Sequence, residues 1–324
     1  MASSSDHEIV SELLPFVQVY KNGRVERFFE SERVPPSLQD PKTGVSSKDI
    51  KISTNPDIYA RLYLPSKFIN TTEKLPLLLF FHGGAFCIES AFSLYHQRYL
   101  NVLVSQANVV AVSVEYRLAP EYPLPIAYED CWTSLQWALA HHHSDKYDGS
   151  FAHDLNEEPW LKDNVDFNRV FLGGDSAGAN ISHNLAMRPA DENDIRGIFL
   201  VHPYFWGSKP INEVEINMEL ATKMWLFVYP SAKNGVDNPV CNPFADDAPS
   251  MSRLGCKRVL VCVAGKDPFK DRGLLYYEGL KKSGWEGEVE LFENEEEEHE
   301  FHLYGPDSES AQLLFKCIAS FLNK

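Results

Sequence analysis

The chain has 324 residues, with 30 Lys and Arg against 46 Asp and Glu, a formal net charge of −16. Hydrophobic residues make up 44% and charged residues 23%, enough apolar surface for a large core to offset the entropy of ordering, which excludes a disordered chain. The acidic excess repels phosphate backbones and anionic headgroups, so neither a nucleic-acid nor a membrane partner is expected.

The segment Met1–His7 has no basic stretch leading into an apolar run, and no 18 consecutive apolar residues occur. Neither a secretory signal nor a membrane-spanning helix is expected. Residues 1–43 are mostly polar, with one apolar patch at Leu13–Tyr20, and Pro35-Pro36 and Pro41 separate that patch from the rest of the chain. They read as an N-terminal arm contributing to a cap on a body formed by residues 44–324. Asp49–Ser53 and Tyr59–Leu64 alternate apolar with polar residues, as half-exposed strands do. Leu75–Phe81, Val109–Tyr116, Val170–Gly174, Ile198–Val201 and Val259–Ala264 are nearly all apolar, the pattern of buried parallel strands. Glu288–Phe292 is a more polar sixth run. Between them, Leu94–Gln106, Ala127–His141, Ala177–Met187, Gly273–Ser283 and Glu309–Phe321 carry helical periodicity. This alternation predicts an α/β fold, a mostly parallel sheet with helices on both faces. The aromatic-rich stretch 206–234 breaks the rhythm and reads as a cap insertion over a pocket, with Trp206 and Trp225 as candidate lining residues. Cys87, Cys131, Cys241, Cys256, Cys262 and Cys317 form no CxxC pair and are expected to be free thiols in a reducing cytosol, giving a cytoplasmic location.

The chemistry gathers at strand ends. Gly174-Asp175-Ser176-Ala177-Gly178 lies between an apolar strand and a helical pattern. This is the strand–GxSxG–helix elbow that lifts a serine hydroxyl above a sheet, with the helix amide dipoles aimed at the same spot. A serine nucleophile needs a base and an acid. Asp267 follows the strand Val259–Ala264 on a loop and is the candidate acid; Asp271, in the first turn of the next helix, is the rival. His299 follows the last strand and is the candidate base, with His302 the second choice. The chain order Ser, Asp, His is that of α/β-hydrolases. His82-Gly83-Gly84-Ala85-Phe86 follows another buried strand, and its small residues let backbone amides approach a substrate oxygen. With Ala177, the amides of Gly83 and Gly84, and Ala85 as a further donor, are expected to form an oxyanion hole. The run His141-His142-His143 has no acidic or cysteine partner at ligand spacing, so no metal is expected there, nor any cofactor elsewhere.

His82–Phe86, Tyr116-Arg117-Leu118-Ala119-Pro120-Glu121 and Gly174–Asn180 together resemble the hormone-sensitive-lipase-like branch of α/β-hydrolases, and within it the plant carboxylesterase family. The resemblance runs from about Gly44 to the end, and Tyr20–Arg27 in the arm shares it. Ala85, Cys87–Phe92, Trp206–Pro210 and Lys282–Trp285 are similar to the 2-hydroxyisoflavanone dehydratase subgroup, whose members carry threonine at the elbow where this chain has Ser176. The resemblance implies hydrolysis of small, rather apolar ester substrates by a monomer or homodimer. It also implies two alternatives: a lyase acting on the same site, and a hormone-receptor-like binding module lacking a working triad histidine. The presence of His299 favours an enzyme, and serine in place of threonine favours esterase activity over dehydration.

Overall fold

The computed structural model describes residues 8–142, 157–188, 195–213 and 215–324. Met1–His7, His143 and Val214, used in the sequence reading, lie outside the described residues. Eleven strands and eight helices are described. The strands are β1 Ile9–Leu13, β2 Val17–Tyr20, β3 Val25–Arg27, β4 Val45–Thr54, β5 Asp57–Pro65, β6 Leu75–Phe81, β7 Val110–Glu115, β8 Val165–Asp175, β9 Ile195–Val201, β10 Arg258–Ala264 and β11 Glu288–Asn294. The helices are α1 Leu94–Ala107, α2 Ile126–Ala140, α3 Pro159–Asn164, α4 Ala177–Ala186, α5 Glu215–Val228, α6 Lys270–Lys282, α7 Phe301–Tyr304 and α8 Glu309–Asn323.

Eight strands form one sheet in the order β11-β10-β9-β8-β6-β7-β5-β4. The six from β11 to β7 run parallel, and β5 and β4 are antiparallel additions. The expected mostly parallel sheet is therefore present. The two-residue period of a strand divides its side chains between two cores. Leu77, Leu79 and Phe81 of β6 pack with Leu135, Ile181 and Tyr276 from α2, α4 and α6. Leu78 and Phe80 point the other way, into Leu100, Leu103, Leu314 and Phe315 of α1 and α8. Helices thus cover both faces, which is why the central strands read as unbroken apolar runs. Local signals set the helix starts: Ser93 accepts the N–H of His96 ahead of α1, and Ser308 accepts that of Ala311 ahead of α8.

The N-terminal arm is a separate three-stranded antiparallel sheet, β1-β2-β3. Leu13 and Val17, from the apolar patch, are its buried anchors. Arg27 at the end of β3 clamps it to the body. Its Nε donates to the Cys87 carbonyl at 2.6 Å, and its Nη2 donates to the Ala119 carbonyl at 3.0 Å and to Glu121 at 2.6 Å. The stretch 206–234 contributes α5. All six cysteines are free, and five are buried. Among the described residues, no helix is long and apolar enough to cross a membrane.

The Arg27 clamp is a set of charge-assisted bonds with the side chain only 15% exposed, each worth about 1.5–3 kcal/mol. Replacing Arg27 by Ala leaves their acceptors unpaired. Chymotrypsin cleavage at Phe28 and Phe29 should then accelerate by roughly tenfold or more, because the arm opens locally more often. An unchanged cleavage rate would mean the arm is held by its apolar anchors alone.

Candidate active site

Strand β8 ends at Asp175 and α4 begins at Ala177, so Ser176 must turn the chain by itself. It does so at φ 50°, ψ −111°, a backbone conformation that a non-glycine residue holds only when its surroundings impose it. Its N–H donates to the Val201 carbonyl at 2.8 Å, and its carbonyl accepts from Tyr204 at 3.1 Å. The side chain is left above the C-terminal edge of the sheet. Its Oγ lies 3.0 Å from Nε2 of His299. Nδ1 of His299 lies 2.9 Å from Oδ2 of Asp267, and Oδ1 of Asp267 accepts the Phe269 N–H at 2.8 Å. The loops after β8, β10 and β11 thus bring Ser176, Asp267 and His299 into one hydrogen-bonded line.

Burial opposes charge on Asp267, but the adjacent His299 ring and the Phe269 amide outweigh it and hold the carboxyl below its usual range. Burial likewise opposes a charged His299, yet the Asp267 charge and hydrogen bond hold the ring up to about 9. The pair therefore favours imidazolium against carboxylate, the state formed when the ring takes the serine proton. Asp271 lies in the first turn of α6, whereas the Nδ1 bond goes to Asp267. His302 is fully buried, packed edge-on to Tyr99, and neither ring nitrogen has a partner; it is core. His183 is also core, 3.0 Å from the Tyr276 hydroxyl and pushed down to about 3 by burial. Nδ1 of His141 lies 3.0 Å from the Trp137 carbonyl, while Nε2 accepts the Glu158 N–H at 3.1 Å, so its nitrogens serve local structure. Among the described residues, one trio offers metal-ligand atoms within 4.8 Å of one another: His202, Asp267 and His299. The relay already uses both nitrogens of His299 and the carboxylate of Asp267.

The expected oxyanion donors need one correction. The Gly83 N–H is already given to Oδ2 of Asp175, at 3.1 Å, and Gly83 does not border the cavity. Gly84 and Ala85 do border it, beside Ser176. Gly84 and Ala85 leave backbone N–H groups at the cavity, and the N–H of Ala177, next to Ser176, opens α4 and has no acceptor within that helix. The loop is braced from below: the Tyr116 hydroxyl donates to the His82 carbonyl at 2.7 Å, and the two rings stack at 4.2 Å. Arg117 pairs with Asp130 at 2.7 Å, holding the strand end that carries Tyr116.

Ser176 and His299 open into a cavity of about 400 Å³. Its walls are Phe16, Phe28 and Phe29 from the arm, Leu220, Ala221 and Met224 from α5, and Trp206 and Phe269 from the body. The candidate lining residue Trp206 is there, flanked edge-on by Phe269 at 5.5 Å. Trp225 is not: it does not border the cavity, its Nε1 donates to the Gly235 carbonyl at 3.0 Å, and its ring packs on Tyr229 and Phe86. Trp225 is core because α5 turns that face inward. The arm aromatics were missed by sequence reasoning, although Phe28-Phe29 in a polar segment was a signal; they are 46% and 55% exposed. Glu300, which also borders the cavity, was missed as well.

A family model described as alpha/beta hydrolase fold matches residues 78–303. Over 99% of its length the chain is 52% identical to a 2-hydroxyisoflavanone dehydratase of Glycyrrhiza echinata, of which it covers 98%. It is 47% identical, over 99% of its length and 98% of the relative's, to probable carboxylesterase 2 of Arabidopsis thaliana. Among solved structures, an esterase of Pyrobaculum calidifontis superimposes with a TM-score of 0.66 at 27% identity, covering 85% of this chain and 84% of that one. The chain belongs to the α/β-hydrolases. Within them it is a member of the plant carboxylesterase family, in the branch that includes the 2-hydroxyisoflavanone dehydratases.

The two tryptophans should separate on mutation. Trp225→Ala empties a core site and should cost about 3–5 kcal/mol of stability, with preference among acyl chain lengths unchanged. Trp206→Ala should enlarge the cavity and shift that preference toward longer or bulkier acyl groups. Thermal melts and a p-nitrophenyl ester series measure both; a shifted preference in Trp225→Ala alone would reverse the assignment.

Proposed function

We propose that this protein is a serine carboxylesterase that hydrolyses esters of small, rather apolar plant metabolites through an acyl-enzyme. The observation that carries this reading is the unbroken line Ser176 Oγ, His299 Nε2, His299 Nδ1, Asp267 Oδ2 at the floor of an apolar cavity. Ser176 attacks the ester carbonyl while His299 takes its proton, and the oxyanion falls to the amides of Gly84, Ala85 and Ala177. His299 then protonates the departing alcohol. A water activated by the same ring releases the acid. The arm and α5 act together as the cap that sets substrate size. Among the described residues the lining includes Glu30, Glu89 and Glu300 but no Lys or Arg, which suits neutral esters better than anionic ones.

A second reading is elimination of water by the same groups, favoured by the 52% identity to a 2-hydroxyisoflavanone dehydratase. His299 would take a carbon-bound proton, the three amides would hold the carbonyl, and the protonated ring would return the proton to the departing hydroxyl so that it leaves as water, with no role for a nucleophile. Ser176 at the elbow supports acyl transfer instead, because serine lacks the methyl that restricts χ1 in threonine. Product analysis with a 2-hydroxyisoflavanone separates the two readings: dehydration outpacing hydrolysis of every ester tried would promote the lyase.

On a p-nitrophenyl ester, Ser176→Ala and His299→Ala should each lower kcat by on the order of 10⁴–10⁶, since the triad acts as a unit. Asp267→Asn should cost less, though still orders of magnitude, through the wrong imidazole tautomer. Near-normal turnover in Ser176→Ala would end the nucleophile assignment.

The pH dependence is set by the sign of the His299 shift. A protonated ring cannot accept the serine proton, so kcat/KM rises with pH as the ring loses its proton, on a limb displaced upward by Asp267. In Asp267→Asn the raising charge is gone. The ascending limb should move to lower pH while the maximum falls; a limb that stays put would mean Asp267 does not set the base.

A further inference from the structure

The loops that build the site also meet at a second carboxylate, Asp175, which the relay does not use. Oδ2 of Asp175 accepts the Gly83 N–H at 3.1 Å and stands 3.5 Å from Nε2 of His96, whose Nδ1 is 3.6 Å from Glu89. Its third neighbour is Glu300, directly after His299 in the chain. A Cβ added to Gly83 would lie 2.3 Å from Oε1 of Glu300 and 2.4 Å from Oδ2 of Asp175. Both carboxyl groups therefore press on the one spot that only glycine leaves open. Oε1 of Glu300 is buried without a hydrogen-bond partner. Glu300 sits at φ 56°, with its N–H donated to Nδ1 of His202 at 3.0 Å, so its backbone is fixed.

Two buried carboxyl groups that converge on one spot favour sharing a proton, because a second negative charge there is costly. Asp175 is the anion, since the Gly83 amide and His96 already serve its charge. The proton then belongs to Glu300. We propose that Glu300 is a positioning residue: as a neutral carboxylic acid it donates a hydrogen bond to Asp175, tying the His299 loop to the carboxylate that holds Gly83 and, through it, the Gly84 and Ala85 donors. This rests on the esterase reading above. The proton has a second consequence. Oε1 lies 3.9 Å from Nε2 of His299; an anion there would stabilise the imidazolium and compete with Ser176 for the ring.

The titratable groups around Glu300 are Asp175 on β8, Glu89 ahead of α1, His96 and Tyr95 on α1, His202 after β9, and His299, His302 and Tyr304 on its own segment. Burial pushes the Glu300 carboxyl up to about 8, against the pull of His299 and with the push of Asp175. Burial holds His202 down at about 4, so it adds no positive charge. His96 is the cation of the cluster: burial opposes its charge, but Asp175 and Glu89 hold it up to about 10.

The test uses full-length wild type, Glu300→Gln and Glu300→Ala, with active sites counted by organophosphate titration. Steady-state kinetics on p-nitrophenyl acetate are run across pH, with infrared difference spectra of wild type against Glu300→Gln. Glu300→Ala should lose about tenfold in kcat with KM within about twofold, as a lost positioning contact does. Glu300→Gln, which still donates to Asp175, should recover to within about threefold of wild type at neutral pH. The wild type should show an alkaline fall in kcat/KM that is absent from Glu300→Gln, because the wild-type limbs belong to the coupled His299–Glu300 pair. The infrared difference should contain the C=O stretch of a protonated carboxyl that disappears on raising pH. Superimposable pH profiles, equal impairment of Gln and Ala, or absence of that band would overturn the proposal. If the wild type cleaved no ester, the esterase reading would fail on its own, and the infrared band would still decide where the proton resides.

Discussion

The site depends on a backbone crossing that leaves almost no room. Strand β8, the start of α4 and the end of β6 meet where Gly174 and Gly178 flank Ser176. A Cβ on Gly178 would fall 1.8 Å from the Phe81 carbonyl oxygen, and one on Gly174 would fall 2.5 Å from the same atom. Only glycines let the three segments close to this distance. The closure forces Ser176 into its positive-φ turn and puts the first amide of α4 beside its hydroxyl. It also places the loop after β6, which carries Gly84 and Ala85, beside Ser176. The strain at Ser176 is over-determined by two adjacent backbone hydrogen bonds, to Val201 and from Tyr204.

On the proposed function, chemistry and recognition fall to different parts of the chain around that crossing. The residues proposed for the relay and the oxyanion come from the sheet and its loops, which are deeply packed. The cavity walls come from the arm and α5, which reach in from outside the sheet. The polar groups beneath the floor are held in two chains of alternating partners, Ser176–His299–Asp267 and Glu89–His96–Asp175. Each places an imidazole beside buried carboxylate charge, which limits the desolvation cost of the carboxylate.

Much of this was legible in the sequence. The central strands announce themselves as apolar runs because helices cover both faces, as the split of Leu77–Phe81 between two cores demonstrates. Asp267 could be separated from Asp271 because the strand Val259–Ala264 ends just before it, and a loop residue at that edge reaches the histidine where a first-turn residue does not. Other features depend on contacts no local pattern carries. Gly83 and Ala85 differ as donors only because Asp175, 92 positions after Gly83, captures one amide. Trp206 and Trp225 look alike in the sequence, and only their placement in the fold, Trp206 beside Phe269 and Trp225 on the inward face of α5, decides which meets the cavity. Nothing around Glu300 reveals a left-handed backbone or a carboxyl aimed at Asp175. The arm read as a polar segment with one apolar patch, because its strands bury few residues and show their aromatics to the cavity.

The central claim is that the Ser176 hydroxyl is an activated nucleophile, and covalent trapping tests it most directly. Wild type treated with a fluorophosphonate should gain the mass of one organophosphoryl group. Peptide mapping should locate it on Ser176, and His299→Ala should label at least a hundredfold more slowly, since general-base assistance is worth about 10²–10⁴. Labelling at another serine, or a His299→Ala rate equal to that of wild type, would contradict the account.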